Sequence, residues 1–152
     1  MKKKNILNPS ALLLCIMALL FANTANAQDG MLSVISNGKG APSEMNFQEL
    51  KSILRGERQR WSDGTKVVIA LMKTNTKAGS TTSKKIYGMT GDELNKYWLA
   101  LVFQGKAKAP AFFNTIAELQ SFVEQTPGAI GIIDVAAQGN TKMVTIDGKK
   151  TF

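Results

Sequence analysis

The stretch from Val67 to Tyr87 constrains this chain more than any other. It opens with an apolar, β-branched run, Val67-Val68-Ile69-Ala70-Leu71, which predicts a buried strand. A loop of small polar residues, Lys73 to Ser83, follows, and then a short helix ending near Tyr87. A strand that empties into a helix start through hydroxyls and glycine gathers backbone N–H groups, the positive end of the helix dipole and O–H donors in one place. That is the chemistry of an oxyanion site. The same Ser80, Thr81 and Thr82 also suit an ordinary helix cap, and both readings stand at this point.

Residues 1–27 have the pattern of a cleavable export leader. Lys2-Lys3-Lys4 is a basic start, Ala11 to Ala22 an apolar run too short for a stable membrane anchor, and Ala25-Asn26-Ala27 a small-x-small cleavage site. The mature chain would begin at Gln28 and lie in the periplasm as one domain, 28–152. Its 125 residues suffice for one core and not for two. Cys15, the only cysteine, leaves with the leader, and Leu14 before it does not fit a lipoprotein processing site. The formal charge falls from +8 to +5, which favours anionic solutes or surfaces and makes nucleic acid an unexpected partner in that compartment.

The remaining segments alternate between strand and helix patterns. Met31 to Ser36 predicts a first strand, broken by Asn37-Gly38-Lys39-Gly40-Ala41-Pro42. Asn46 and Glu49 make a capping box for a helix burying Phe47, Leu50, Ile53 and Leu54, with Gly56 placed to end it. Trp61 sits in a charged turn as a plug over the core edge. Thr90 and Glu93 start a second helix, taken as central to the core, with Leu94, Tyr97, Trp98, Leu101 and Val102 on its buried stripe. Thr115 and Glu118 start a third, burying Ile116, Leu119, Phe122 and Val123. Thr126-Pro127-Gly128 stops it ahead of the apolar run Ala129 to Ile133, whose glycines permit a close approach to the backbone. Gln138-Gly139-Asn140 makes a turn, and Met143 to Ile146 a last strand. The order predicts an α/β fold with a mixed, mostly parallel sheet flanked by helices, whose ligand site lies at strand carboxyl ends, as at Lys73 to Ser83.

Catalysis is poorly provided for. The sequence has no histidine, and the mature chain no cysteine, so the commonest general base and most transition-metal ligands are missing. A nucleophile pair of Ser80 or Ser83 with Lys84 is weak, because neighbouring residues point apart on a helix. No phosphate-binding P-loop or dinucleotide glycine fingerprint occurs. The expectation is a binding protein without metal or cofactor.

Three stretches together resemble the phosphate ABC transporter substrate-binding proteins, a type II periplasmic binding protein group. They are Phe47 to Gly56 with Trp61-Ser62-Asp63-Gly64, Tyr97-Trp98 through Phe103-Gln104-Gly105 to Pro110, and Thr126-Pro127-Gly128-Ala129-Ile130-Gly131. Full-length members have two lobes, so the resemblance implies a short, single-lobe form. They place an arginine and a serine-glycine-threonine run after the strand equivalent to Val67 to Leu71, where this chain has Lys73 and the order Gly79-Ser80-Thr81. The resemblance implies weak or partner-assisted binding of phosphate or a similar small anion by Lys73, Thr74, Lys77, Gly79, Ser80, Thr81 and Thr82. A membrane transporter, a sensor or a second copy in a homodimer are the partners left open. The alternative is a periplasmic interaction module that has lost its solute, anchored by Trp61, Phe112 and Phe113.

Overall fold

The computed structural model describes residues 30–134 and 141–152. The leader at 1–27, Cys15, the mature start at Gln28 and the turn at Gln138-Gly139-Asn140 lie outside the described residues. The strands are β1 Ser33–Ser36, β2 Glu44–Met45, β3 Val68–Met72, β4 Ala111–Phe113, β5 Ala129–Ile133 and β6 Lys142–Ile146. The helices are α1 Phe47–Leu54, α2 Lys77–Thr82, α3 Gly91–Phe103 and α4 Ile116–Gln125; α2 runs on into one wider turn of π-helical winding, Ser83–Tyr87. Among the described residues no helix is long and apolar enough to cross a membrane.

The six strands form one sheet in the order β2-β6-β1-β5-β3-β4. The pairs β2–β6, β3–β4 and β3–β5 are parallel, whereas β1 runs antiparallel to both β5 and β6. The sheet is therefore mixed and mostly parallel, as the alternation of segments implies. Because successive side chains point to opposite faces, each buried strand feeds two cores. Val34, Ile69, Leu71, Ile130 and Ile132 join α1, the π turn and α3, while Ile35, Ala70, Met72, Ala129 and Ile133 join α2 and α4.

Local signals explain the helix ends. Asn46 Oδ1 accepts the Glu49 N–H at 2.8 Å. The Glu49 carboxylate turns instead to Arg58, so the capping box expected there is half made. Thr90–Glu93 and Thr115–Glu118 make both halves of theirs. Gly56 ends α1 at φ +77°. Gly131 accounts for the close approach foreseen around Ile130: a Cβ there would stand 2.7 Å from Leu119 Cδ2, so its absence lets α4 settle on the sheet.

Two expectations are corrected. The loop after β3 is shorter than it reads, because Thr76 caps α2 and the helix has begun by Lys77. Glycine and β-branched threonines are weak helix formers, so 79–82 read as loop, but packing onto β3 overrides that preference. The second correction concerns α3. Leu94 and Trp98 are buried and Tyr97 and Leu101 half-buried, but Val102 is 43% exposed. At about 100° per residue, Val102 lies about 80° round the helix from Leu94, outside the arc from Tyr97 to Trp98. That arc meets the π turn through the rings of Tyr87, Tyr97 and Trp98, with edge-on centroids 5.6 to 6.5 Å apart. Burial raises the Tyr87 phenol above its ordinary pKa, and its O–H donates to Leu54 O at 2.6 Å, tying the π turn to the end of α1.

Candidate functional site

The parallel strands β3 and β4 end side by side, with Met72 opposite Phe113. Lys73 continues the ladder by donating its N–H to Phe113 O at 2.9 Å. The chain then turns sharply: the Thr76 N–H and hydroxyl both donate to Lys73 O, at 2.9 and 2.8 Å, and Thr76 Oγ1 accepts the Gly79 N–H at 3.0 Å. One threonine thus closes the loop and caps the helix. Gly91, first in α3, has no Cβ, which leaves room for Thr74; a Cβ there would stand 2.8 Å from Thr74 Cβ. The loop is held between two helix starts.

Around this turn lies an open depression of about 290 Å³ lined by Lys73, Thr74, Asn75, Asn95 and Phe112. Its lining offers one ammonium, one hydroxyl and two carboxamides that can donate N–H groups, and no carboxylate. Such a set suits an anion, and the openness leaves it in contact with water.

The seven residues singled out in the sequence separate here. Lys73 and Thr74 line the depression, and Lys77 is exposed on the first turn of α2. Gly79 is buried against the Met72–Lys73 backbone, so its role there is packing. Ser80 and Thr81 are half-exposed on the second turn, beyond the helix start, and Thr82 is only 3% exposed. None of these last four lines the depression. Asn75 and Asn95 were missed, and Phe112 was singled out only as an interaction anchor. Asn75 stood in the loop without a distinguishing mark, while Asn95 lies on α3 and Phe112 on β4, so only strand pairing and helix packing bring them near Lys73.

The anchors of the interaction reading also move. Trp61 is 3% exposed, and its indole N–H donates to Gly128 O at 2.9 Å, so it is the plug its position suggested. Phe112 and Phe113 belong to β4 and are half-buried, Phe113 resting on Phe122 at 5.1 Å between centroids. Among the described residues the large exposed apolar side chains are instead Met31 near the start and Leu99, Val102 and Phe103 on α3.

The sequence matches no protein-family model and no curated protein. Solved structures do match the fold. An ABC-type phosphate transport receptor from Vibrio cholerae superposes with a TM-score of 0.63 at 10% identity, over 81% of this chain and 49% of the receptor. The fold is that of the phosphate ABC transporter substrate-binding proteins. PstS from Borrelia burgdorferi gives a TM-score of 0.56 at 14% identity, covering 80% of this chain and 53% of PstS. A putative phosphate ABC transporter substrate-binding protein from Clostridium perfringens, solved with bound phosphate, gives 0.58 at 14% identity, covering 78% and 45%. The chain spans about half the length of these substrate-binding proteins.

Proposed function

We propose that residues 28–152 form an exported, solute-binding-protein-like domain of the periplasm that takes phosphate or a similar oxyanion at the carboxyl end of β3. The observation that carries this is the depression itself: Lys73, Thr74, Asn75 and Asn95 supply charge and donors with no acid among the lining residues, at the strand end where α/β sheets bind ligands. The named ligand of two neighbours supports phosphate as the first anion to try. The domain acts by binding and not by catalysis, without metal or cofactor. Its capture is relayed to a transporter or sensor.

Openness sets the strength. An ion pair at 4 Å contributes about 1 kcal/mol in bulk water and about 4 kcal/mol at an effective dielectric near 20. A half-open site therefore binds with Kd on the order of 1 mM unless a partner covers it. Calorimetric titration of phosphate-stripped protein with phosphate, sulfate and small organic anions, at low and moderate salt, is the test. Saturable binding should weaken roughly fivefold in Lys73→Ala and stay unchanged in Ser80→Ala. No heat with any anion, or a Lys73→Ala variant that binds like the parent, defeats the proposal.

One observation favours the interaction reading. Leu99, Val102 and Phe103 are 58%, 43% and 82% exposed, and at helical spacing they continue the strip of α3 that Asn95 begins. A second copy docked there would stand at the rim of the depression. Sedimentation should then depend on protein concentration and lose that dependence in Phe103→Asp. A chain that sediments as a monomer throughout the micromolar range removes the homodimer.

A further inference from the structure

A second cavity, of about 190 Å³, lies at the other end of β3. Strand spacing puts it roughly 20 Å from Lys73. It exists because the sheet is split there. Pairing of β3 with β4 begins only at Ala70 and Ala111, and Pro110, just before β4, has no N–H with which to extend the ladder. Val67 to Ile69 and the segment 107–109 therefore stand apart, and Val67 to Ile69 with Ala107 and Ala109 form apolar walls.

The segment Arg58 to Arg60 closes the third side and is pinned at both edges. Val67 N–H donates to Gln59 O at 3.0 Å, and the Gln59 side chain donates to Lys106 O. Its arginines are held as well: Arg58 pairs with Glu49 and donates to Arg60 O at 3.3 Å, and Arg60 donates to Gly64 O at 2.8 Å. Lys66 and Lys108 complete the rim, and neither side chain makes an ion pair or hydrogen bond among the described residues. The lining thus carries four cations and no acid, over an apolar floor.

We infer that this cavity is a binding site for a small amphipathic organic anion, a carboxylate carried on a short hydrocarbon body. The rim supplies charge for the carboxylate, with Lys66 and Lys108 uncommitted. The apolar walls reward a hydrocarbon and give nothing to a bare oxyanion, which separates this site from the depression at Lys73. The volume falls below the roughly 300 Å³ at which drug-sized ligands begin, so the body is short.

The test is an NMR titration of the chain with acetate, butyrate and hexanoate at constant ionic strength, following backbone amides. Saturable shifts should centre on Val67 to Ile69 and Ala107 to Ala109, with hexanoate bound roughly tenfold more tightly than butyrate. Ala109→Phe, at an exposed position, should fill the cavity and abolish the shifts. Lys66→Gln with Lys108→Gln should weaken all three acids at least fivefold and keep the chain-length dependence. Equal affinity for acetate and hexanoate would mean a plain anion-attracting surface, and shifts confined to Lys73 to Asn75 would mean that the carboxylates use the other site. Either result, or no saturation with hexanoate, overturns the inference.

Discussion

Replacing Gly79 with alanine should destabilise the protein by about 3 kcal/mol, although an isolated helix would gain about 1 kcal/mol from the same change. The clash wins because of where α2 lies. A Cβ at Gly79 would stand 2.0 Å from the Lys73 carbonyl oxygen and 2.7 Å from that of Met72. The Lys73 backbone cannot move aside, since its N–H holds Phe113 O and its carbonyl takes two bonds from Thr76. Relief requires α2 to lift from β3, which uncovers Ala78 and breaks the Thr76 cap. The urea midpoint should fall accordingly, while Ser80→Ala, one residue on and half-exposed, should stay within about 0.5 kcal/mol of the parent. Equal stability of the two variants would mean that α2 is not seated on the end of β3. Anion binding should be lost with Gly79→Ala even where the chain still folds, because lifting α2 pulls Thr76 off the Lys73 carbonyl and opens the turn that carries Thr74 and Asn75. The glycine would then matter to the site without touching the ligand.

Trp61→Ala should cost about 3–5 kcal/mol, the usual loss for a large aromatic side chain removed from a core. The indole is 3% exposed and lies over Gly40, where a Cβ would stand 2.4 Å from Trp61 Cδ1. Its N–H reaches Gly128 O, which also accepts the Val68 N–H at 3.1 Å. One side chain therefore ties the turn at Asp63-Gly64 to the start of β5 and to β3. Trp61→Phe keeps most of the packing and leaves Gly128 O bonded to Val68, so its cost should be nearer 1 kcal/mol. Urea denaturation followed by far-ultraviolet circular dichroism measures both without relying on tryptophan fluorescence. A Trp61→Ala protein within 1 kcal/mol of the parent would contradict the plug.

How far the sequence could be read depended on the range of the interaction. Asn46, Thr90 and Thr115 were recognisable as caps, and Gly56 as a stop, because each satisfies backbone groups within a few residues of itself. The apolar runs at Val67 and Ala129 were recognisable as strands because a strand buried on both faces must be continuously apolar. Alternation of such segments with amphipathic helices was enough for an α/β fold, and the three quoted stretches for its resemblance to phosphate-binding proteins.

The errors fell where local preference and packing disagreed. The run Gly79 to Thr82 reads as loop by propensity and is helix, since Gly79 is what allows α2 to lie on β3. Val102 reads as core by spacing and is exposed, since α3 is covered over a narrower arc than its apolar stripe. Of the candidate site, Lys73 and Thr74 were visible as a cation and a hydroxyl after a strand, while Asn95 carried no mark of its own and Phe112 was marked only as an interaction anchor.

By itself, then, the sequence determined most of the helices and strands, β2, β4 and the start of α2 excepted, where most of them stop, and that the chain has no histidine. The tertiary structure alone decided that β1 enters the sheet antiparallel, that β2 pairs with β6 about a hundred residues away, that β4 brings Phe112 to Lys73, and that the sheet splits at Pro110 to leave a basic cavity. The physical reason is that caps, turns and amphipathic periods act over one or two helical turns. Strand order and the convergence of distant side chains are set by burial of the two faces of the sheet against everything else in the molecule.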